Sequence, residues 1–163
     1  NRKIVDTVSR DSPTLKKKKK KIGFNRNKIF DAHVGADIER FHPGISGQRI
    51  RREYNITKPL VLYLGQLHGG QYVELFIKTA SRLINDYKKD LSFMIVGDGY
   101  QAEELKKIAR NSNLDRKLVF TGAVSHELVP QYIAAADVCV AWLKENEVTL
   151  CKSPLKIVEY LAS

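Results

Sequence analysis

The sequence predicts an α/β fold built on a doubly wound parallel sheet, and two observations lead to this prediction. Short apolar runs of strand length alternate with longer segments in which apolar residues recur every three or four positions, as on a helix. The short runs are apolar throughout, which is typical of parallel strands buried on both faces. With 163 residues, 43% of them hydrophobic, the chain is long enough to form one domain with a substantial core.

Four strands and four helices are predicted from residue 60 onward. The strands are "LVLYLG" (60–65), "LSFMIVG" (91–97), "KLVFTG" (117–122) and "DVCVAWL" (137–143). The helices are predicted over 73–87, 101–112, 125–136 and 153–163, where Pro130 restricts the third helix, and Ser153 and Pro154 are suited to begin the fourth. A short strand is also predicted within 27–35, and a short helix within 46–56.

Glycine ends three of the four predicted strands, at Gly65, Gly97 and Gly122. Open parallel sheets bind their ligands outside the carboxyl ends of the strands, and glycine at a strand end lets a ligand or another backbone come close. A tight turn would explain any one of these glycines equally well. Three of them at one edge favour a binding crevice there.

The formal charge of +10 is concentrated in the run from Lys16 to Lys21. Without those six lysines, the charge falls from +10 to +4. A block of like charges is typical of a solvated segment, and contact with an anionic membrane surface is the alternative. Nucleic-acid binding is not expected, because no aromatic residues are interleaved with the lysines.

The remaining composition indicates a cytoplasmic protein without a metal centre. Two cysteines form no disulfide framework, which favours a reducing compartment. No apolar run approaches the ~20 residues that a membrane span requires, so any membrane contact is expected to be peripheral, at the inner face. The four histidines show no pairing at the spacing of metal ligands.

Five motifs occur in a characteristic order and spacing: "NKIFDAHVGADIERFHPG", "YLGQL", "IVGDGYQAEEL", "VFTGAVSHELVPQYIAAADVCV" and "SPLKIVEYLAS". Together they resemble the nucleotide-sugar-binding half of a GT-B glycosyltransferase of the retaining family 4. The resemblance implies a Rossmann-like domain. It also implies transfer of a sugar from a nucleoside diphosphate to an acceptor hydroxyl with retention of configuration, without a metal ion or other cofactor.

The resemblance also implies how the chain is divided. Residues 1–26 are expected to be the trailing edge of the acceptor domain and a polybasic linker. Residues 27–163 are expected to be the donor-binding domain, which is incomplete, so that the chain is truncated at both ends. Most of the acceptor domain is therefore expected to be missing from this chain. The chain by itself is expected to be inactive as a transferase.

The resemblance implies a donor-binding site whose residues are Gly65, Gln66, Gln71, Gly97, Val124, Leu155, Lys156 and Glu159. The amides of Leu155 and Lys156, with the Lys156 ammonium, are expected to stabilise the departing diphosphate. Glu159 is expected to hold the ribose hydroxyls, although helix patterning alone favours an exposed glutamate. Main-chain groups near Val124 are expected to hold the base. Tyr100 could stack near the base or cover the core, and the second role is preferred.

The chain departs from the family pattern at the charged positions. Gln66 and Gln71 stand where the family has Arg and Lys, and hydrogen bonds to charged groups are roughly twice as strong as neutral ones. The catalytic residue is left open: Cys151 occupies the position of the first family glutamate, and Glu147 or Glu145 are the alternatives. These departures sustain a second hypothesis, a degenerate Rossmann-like module that binds a nucleotide or a partner without catalysis.

We predict that Gln66→Arg combined with Gln71→Lys tightens the binding of UDP or GDP, because it restores positive charge beside the diphosphate. Calorimetry is the measurement. The gain should be larger for the diphosphate than for the plain nucleoside, and should shrink as salt is added. An unchanged affinity for the diphosphate would contradict the placement of these two residues in a donor site.

Overall fold

The computed structural model describes residues 8–10, 21, 29–31, 35–68, 72–142 and 154–163. Near the start, two short strands, β1 (Val8–Arg10) and β2 (Ile29–Asp31), pair in parallel. β2 is the short strand that the sequence predicts within 27–35. The two strands lie on either side of the predicted domain boundary at residues 26 and 27, and that division remains a prediction.

The following strands form a four-stranded parallel sheet. They are β3 (Leu60–Leu64), β4 (Ser92–Val96), β5 (Leu118–Gly122) and β6 (Val138–Val140). Their order in the sheet is β5-β4-β3-β6, so the chain moves outward from β3 and then returns to its other side. This reversal beside β3 defines a doubly wound α/β sheet and confirms the predicted fold class.

The helices are α1 (Gln48–Glu53), α2 (Tyr72–Ser81), α3 (Ala102–Asn111), α4 (Val129–Ala135) and α5 (Leu155–Ala162). A π-helical turn, Arg82–Asp86, continues α2. Pro130 lies in the first turn of α4, where its missing N–H leaves no hydrogen bond unmade.

The start of α5 differs from the prediction by one residue. Pro154 is the N-cap and not the first helical residue, because its ψ of 117° is extended. Its carbonyl oxygen accepts a hydrogen bond from the Ile157 N–H at 3.1 Å. Ser153 lies outside the described residues, so its predicted capping role remains a prediction.

Strand side chains alternate between two cores, one on each face of the sheet. Helices α2 and α3 cover the first face, whose buried strand residues are Tyr63, Phe93, Ile95 and Leu118. Helices α1, α4 and α5 cover the second face, whose buried strand residues are Leu60, Leu62, Met94 and Val96. Because both faces are covered, successive strand residues are apolar, which explains the continuous apolar runs of the sequence.

Asp137 joins the start of β6 to the start of β3. The Leu60 N–H donates to the Asp137 Oδ2 at 2.6 Å, and the Asp137 N–H donates to the Leu60 carbonyl at 2.9 Å. Arg51 donates to the same Oδ2 at 3.1 Å, to the Ala135 carbonyl at 2.6 Å and to the Lys58 carbonyl at 2.8 Å. The Leu60 hydrogen bond and then Arg51 lower the pKa of the Asp137 carboxyl, against a smaller opposing effect of desolvation.

We predict that Asp137→Ala lowers the free energy of unfolding by about 2 kcal/mol, because it removes a charged acceptor from the N–H of the buried Leu60. Urea denaturation measures the loss, and Asp115→Ala, at an exposed aspartate, serves as the matched control.

The loss in the free energy of unfolding caused by Asp137→Ala should depend on pH in a defined direction. Because folding lowers the pKa of Asp137, the carboxylate stabilises the fold above its unfolded pKa of about 3.9, and this contribution falls as the pH drops below that value. The difference between wild type and Asp137→Ala should therefore be largest near neutral pH and smaller in acid. Equal stabilities at neutral pH would show that Asp137 does not hold the two strands together.

Candidate functional site

A cavity of about 290 Å³ opens at the carboxyl edge of the sheet. Its lining comes from the ends of β3 and β4, the loop after β5 and the start of α4: Leu64, Gly65, Gln66, Val96, Gly97, Asp98, Ala123, Val124 and Val129. Four residues of the predicted donor site, Gly65, Gln66, Gly97 and Val124, thus lie around one space. Gly122, the third strand-end glycine, is not among the lining residues.

Gly65 and Gly97 bring two strands unusually close at the floor of this cavity. Their φ angles, 153° and 136°, lie in a region that residues with a side chain rarely adopt. A Cβ on Gly97 would overlap the Gly65 carbonyl oxygen, and a Cβ on Gly65 would lie 2.6 Å from the Lys156 Nζ. Side chains at either position would therefore close the space that the strand ends leave open.

Lys156 places a positive charge at the end of β3. Its Nζ donates to the Leu64 carbonyl at 2.7 Å and lies 4.9 Å from the centroid of the Tyr63 ring. The side chain is partly buried, and this loss of hydration lowers the pKa of Lys156, while the negative charge of Glu159 acts in the opposite direction. The ammonium is thus held beside Leu64 and Gly65, two residues that line the cavity.

The first turn of α5 provides backbone donors next to this ammonium. The N–H groups of Leu155 and Lys156 stand at the first two helical positions, where no intrahelical acceptor is available. The positive end of the helix dipole lies in the same turn. The beginning of α5 is therefore suited to an anion.

Glu159 is buried, with 5% of its surface exposed, so the expectation of an exposed glutamate from helix patterning is wrong. Its Oε1 lies 3.8 Å from the Nε2 of His126, which is too far for a hydrogen bond. Within the described part of the chain, no donor lies within hydrogen-bonding distance of this carboxylate. Among the described residues, the fully buried side-chain atoms without a partner include the Tyr160 Oη but not the Glu159 oxygens, so the carboxylate oxygens stay accessible to water or to a ligand.

His126 borders Glu159 and Arg40 contacts His126, and sequence reasoning missed both of them. Arg40 Nη2 donates to the His126 Nδ1 and to the His126 carbonyl, each at 2.9 Å. Sequence reasoning considered His126 only in finding that the histidines are not paired as metal ligands, and it placed this residue in the helix predicted over 125–136. The helix begins at Val129, so His126 lies in the turn before it, at the carboxyl edge of the sheet.

Tyr100 does not cover the core, contrary to the prediction. Its side chain is 74% exposed, and its ring stacks on His68 with centroids 5.2 Å apart and planes 8° apart. The core beneath this turn is filled instead by Leu67 and Leu105.

The comparisons with known proteins agree with this architecture. The family model described as "Glycosyl transferases group 1" matches residues 58–163. The chain belongs to this family. The alpha-D-kanosaminyltransferase of Streptomyces kanamyceticus is 32% identical over 92 residues, which are 56% of this chain and 24% of the relative. The GDP-mannose-dependent alpha-mannosyltransferase of Corynebacterium glutamicum is 29% identical over 116 residues, which are 70% of this chain and 25% of the relative.

This group 1 glycosyl transferase chain thus spans about a quarter of the length of those curated relatives. Among solved structures, WaaG, a glycosyltransferase involved in lipopolysaccharide biosynthesis, matches 99% of this chain and 43% of its own, with a TM-score of 0.76 and 14% identity. Anabaena Alr3699/HepE in complex with UDP-glucose matches 84% of this chain and 38% of its own, with a TM-score of 0.66 and 19% identity. These similarities confirm the GT-B, Rossmann-like fold.

Several predicted residues of this family member lie outside the described part of the chain: Lys16 to Lys20, Gln71, Glu145, Glu147 and Cys151. Their roles remain predictions, including contact of the lysine run with a membrane surface. Within the described ranges, no group of three or more His, Cys, Asp or Glu side chains is placed to hold a metal ion. Within the same ranges, no helix has the length and apolar character needed to cross a membrane.

A larger cavity, of about 370 Å³, lies on the opposite side of β3, between α2 and β6. Its lining is almost entirely apolar, with Tyr63, Trp142 and Phe76 among its residues, and it contains no charged side chain. A diphosphate would find no counter-charge there. The smaller cavity at the carboxyl edge has the charged residue Asp98 in its lining, and its positive charge comes from Lys156, which is bound to the carbonyl of the lining residue Leu64.

We predict that Gly97→Ala destabilises the domain by roughly 2–5 kcal/mol, because an unfavourable φ and an overlap with the Gly65 backbone act together. Gly122→Ala is the matched control: its φ of 73° is also unfavourable, but no atom lies within 4 Å of the added Cβ. The control should lose only about 1–2 kcal/mol. Chemical denaturation measures both, and equal losses would mean that the close approach of the two strands imposes no constraint.

Proposed function

We propose that this chain is the donor-binding part of a retaining glycosyltransferase, which transfers a sugar from a nucleoside-diphosphate sugar to an acceptor hydroxyl. The observation that carries the proposal is Glu159, a buried carboxylate without a hydrogen-bond donor among the described residues, on the same helix as the partly buried Lys156. The two side chains offer an acceptor for sugar hydroxyls and a positive charge for phosphate.

The diphosphate would bind at the start of α5. The Leu155 and Lys156 amides and the Lys156 ammonium would stabilise the negative charge that develops as the sugar–phosphate bond breaks. Lys156 has exchanged water for the Leu64 carbonyl and the Tyr63 ring, and an anion would add a second negative charge to that of Glu159, which already acts on the ammonium. Gln66, at the cavity, would add neutral hydrogen bonds.

The nucleoside would occupy the neighbouring part of the site. The Glu159 carboxylate can accept hydrogen bonds from two vicinal ribose hydroxyls, and main-chain groups near Val124 would contact the base. The cavity volume of about 290 Å³ lies near the lower limit of ordinary small-molecule sites, which begin at roughly 300 Å³. The relatives include a GDP-mannose-dependent enzyme and a protein in complex with UDP-glucose, so both bases are candidates.

Transfer would require more than this chain. As the resemblance implies, the proposed reaction uses no metal ion or other cofactor, and a second domain would bind the acceptor. The chain alone is therefore expected to bind the donor without transferring its sugar.

A non-catalytic nucleotide-binding module is the alternative. Gln66 favours it, because this uncharged residue lines the cavity where the family places an arginine. Nucleotide binding by the whole protein without turnover of any nucleotide sugar would support this alternative. Turnover would support the transferase.

We predict that Glu159→Ala weakens the binding of UDP or GDP by about ten- to a hundredfold, because it removes charge-assisted hydrogen bonds worth roughly 1.5–3 kcal/mol. Calorimetry with UDP, GDP and ADP is the measurement, and Glu104→Ala, at an exposed glutamate on α3, is the matched control. If the wild type binds none of the three nucleotides at millimolar concentration, a donor site is excluded. Binding that persists unchanged in Glu159→Ala would remove Glu159 from it.

A further inference from the structure

We propose that Arg40 and His126 are positioning residues for Glu159. Arg40 fixes the tautomer and orientation of the His126 ring, so that the ring presents its Nε2–H to the Glu159 carboxylate. This inference rests on the proposed function, in which that carboxylate accepts hydrogen bonds from the ribose. Its consequence is that ribose recognition depends on an arginine that does not itself contact the nucleotide.

The tautomer of the His126 ring follows from the donor that contacts its Nδ1 atom. Arg40 Nη2 lies 2.9 Å from the His126 Nδ1, and a guanidinium has donors but no acceptor. The Nδ1 must therefore accept this hydrogen bond, and the neutral ring carries its proton on Nε2. That nitrogen is the one 3.8 Å from the Glu159 Oε1.

The orientation of the ring follows from the same segment. The Nη2 of Arg40 also binds the His126 carbonyl at 2.9 Å, so one side chain holds both the ring and the backbone of this residue. The adjacent Phe41, 2% exposed, meets the imidazole edge-on, with centroids 6.2 Å apart and planes at 67°. The His126 side chain is 60% exposed, so burial alone would not hold it in one orientation.

The turn that precedes α1 explains why Arg40 and Phe41 act together. The N–H groups of Phe41 and Arg40 both donate to the Asp37 carbonyl, at 2.8 and 3.1 Å. The guanidinium of Arg40 lies 5.9 Å from the centroid of the Phe41 ring. The side chains of Arg40 and Phe41, which are consecutive residues of this turn, therefore both contact His126 in the loop before α4.

The separation between His126 and Glu159 suits a positioning role. At 3.8 Å, the Nε2–H attracts the carboxylate but does not complete a hydrogen bond with it. The carboxylate is thus oriented by a neighbouring dipole, while its oxygens remain able to accept hydrogen bonds from ligand hydroxyls. Loss of Arg40 would allow the ring to turn or change tautomer, and would leave Glu159 without this orientation.

The test compares the 163-residue chain with three variants: Arg40→Met, His126→Leu and His126→Gln. For each protein, calorimetry gives the Kd of UDP and GDP and of their 2′,3′-dideoxy counterparts, which lack the hydroxyls that Glu159 would bind. Arg52→Met, at an exposed arginine of α1, is the matched control. Thermal melting verifies that every variant is folded.

Arg40→Met and His126→Leu should weaken binding of the ribonucleotide by roughly three- to tenfold. They should leave binding of the dideoxy compound unchanged, because the effect passes through the ribose hydroxyls. His126→Gln should retain most of the preference for the ribonucleotide, since its amide NH₂ can take the place of the imidazole Nε2–H. An unchanged ratio of the two Kd values in Arg40→Met and His126→Leu would overturn the inference.

A second measurement needs no ligand. Imidazole ¹⁵N shifts at pH about 8, above the ordinary histidine pKa near 6.5, distinguish the two neutral tautomers. The wild type should show His126 protonated at Nε2, and Arg40→Met should lose this preference. Protonation at Nδ1 in the wild type would overturn the inference.

The two proposals fail in different ways. A wild type that binds no nucleoside diphosphate overturns the proposed function, and the positioning role with it. A wild type whose binding depends on Glu159 but not on Arg40 or His126 overturns the positioning role alone.

Discussion

The Asp137 carboxylate anchors the chain at the point where it re-enters the sheet. By accepting the Leu60 N–H and binding Arg51, it holds the start of β6 against the start of β3. β6 lies beside β3, where the strand order reverses, and not beyond β5. The helix that follows β6 along the chain lies against the end of β3, where Lys156 binds the Leu64 carbonyl. The candidate site depends on this return, because its charged groups come from that helix.

The reversal leaves an opening at the carboxyl edge, and backbone geometry keeps it open. Gly65 and Gly97 let β3 and β4 end in close contact, and the missing Cβ of Gly65 leaves room for the Lys156 ammonium. Lys156 and Glu159 are three residues apart, so they lie on neighbouring parts of one helical face. One helix thus brings an ammonium and a carboxylate, the two groups on which the proposed donor site rests, to the same edge.

The charge balance of this edge differs from the family pattern. Gln66 provides no charge at the cavity, and Asp98 lines the same cavity with a carboxyl group whose Oδ1 accepts the Gly99 N–H at 2.7 Å. Lys156 is then the ammonium nearest the end of β3 among the residues that the structure describes. Its partial burial makes it effective there, because a charge shielded from water attracts an anion more strongly than an exposed one. In the proposed function, this ammonium and the backbone amides beside it stabilise the departing diphosphate.

The sequence by itself determined the order and type of the elements, since the period of the apolar residues follows from burial of each strand and helix. It also gave the family and named Glu159, because these signals are local motifs. Only the tertiary structure showed that Glu159 is buried, that Tyr100 is exposed, and that Arg40 contacts His126. These facts depend on which elements the sheet order brings together. Arg40 and His126 lie 86 residues apart, and no local pattern records a contact that forms only when the strands pair.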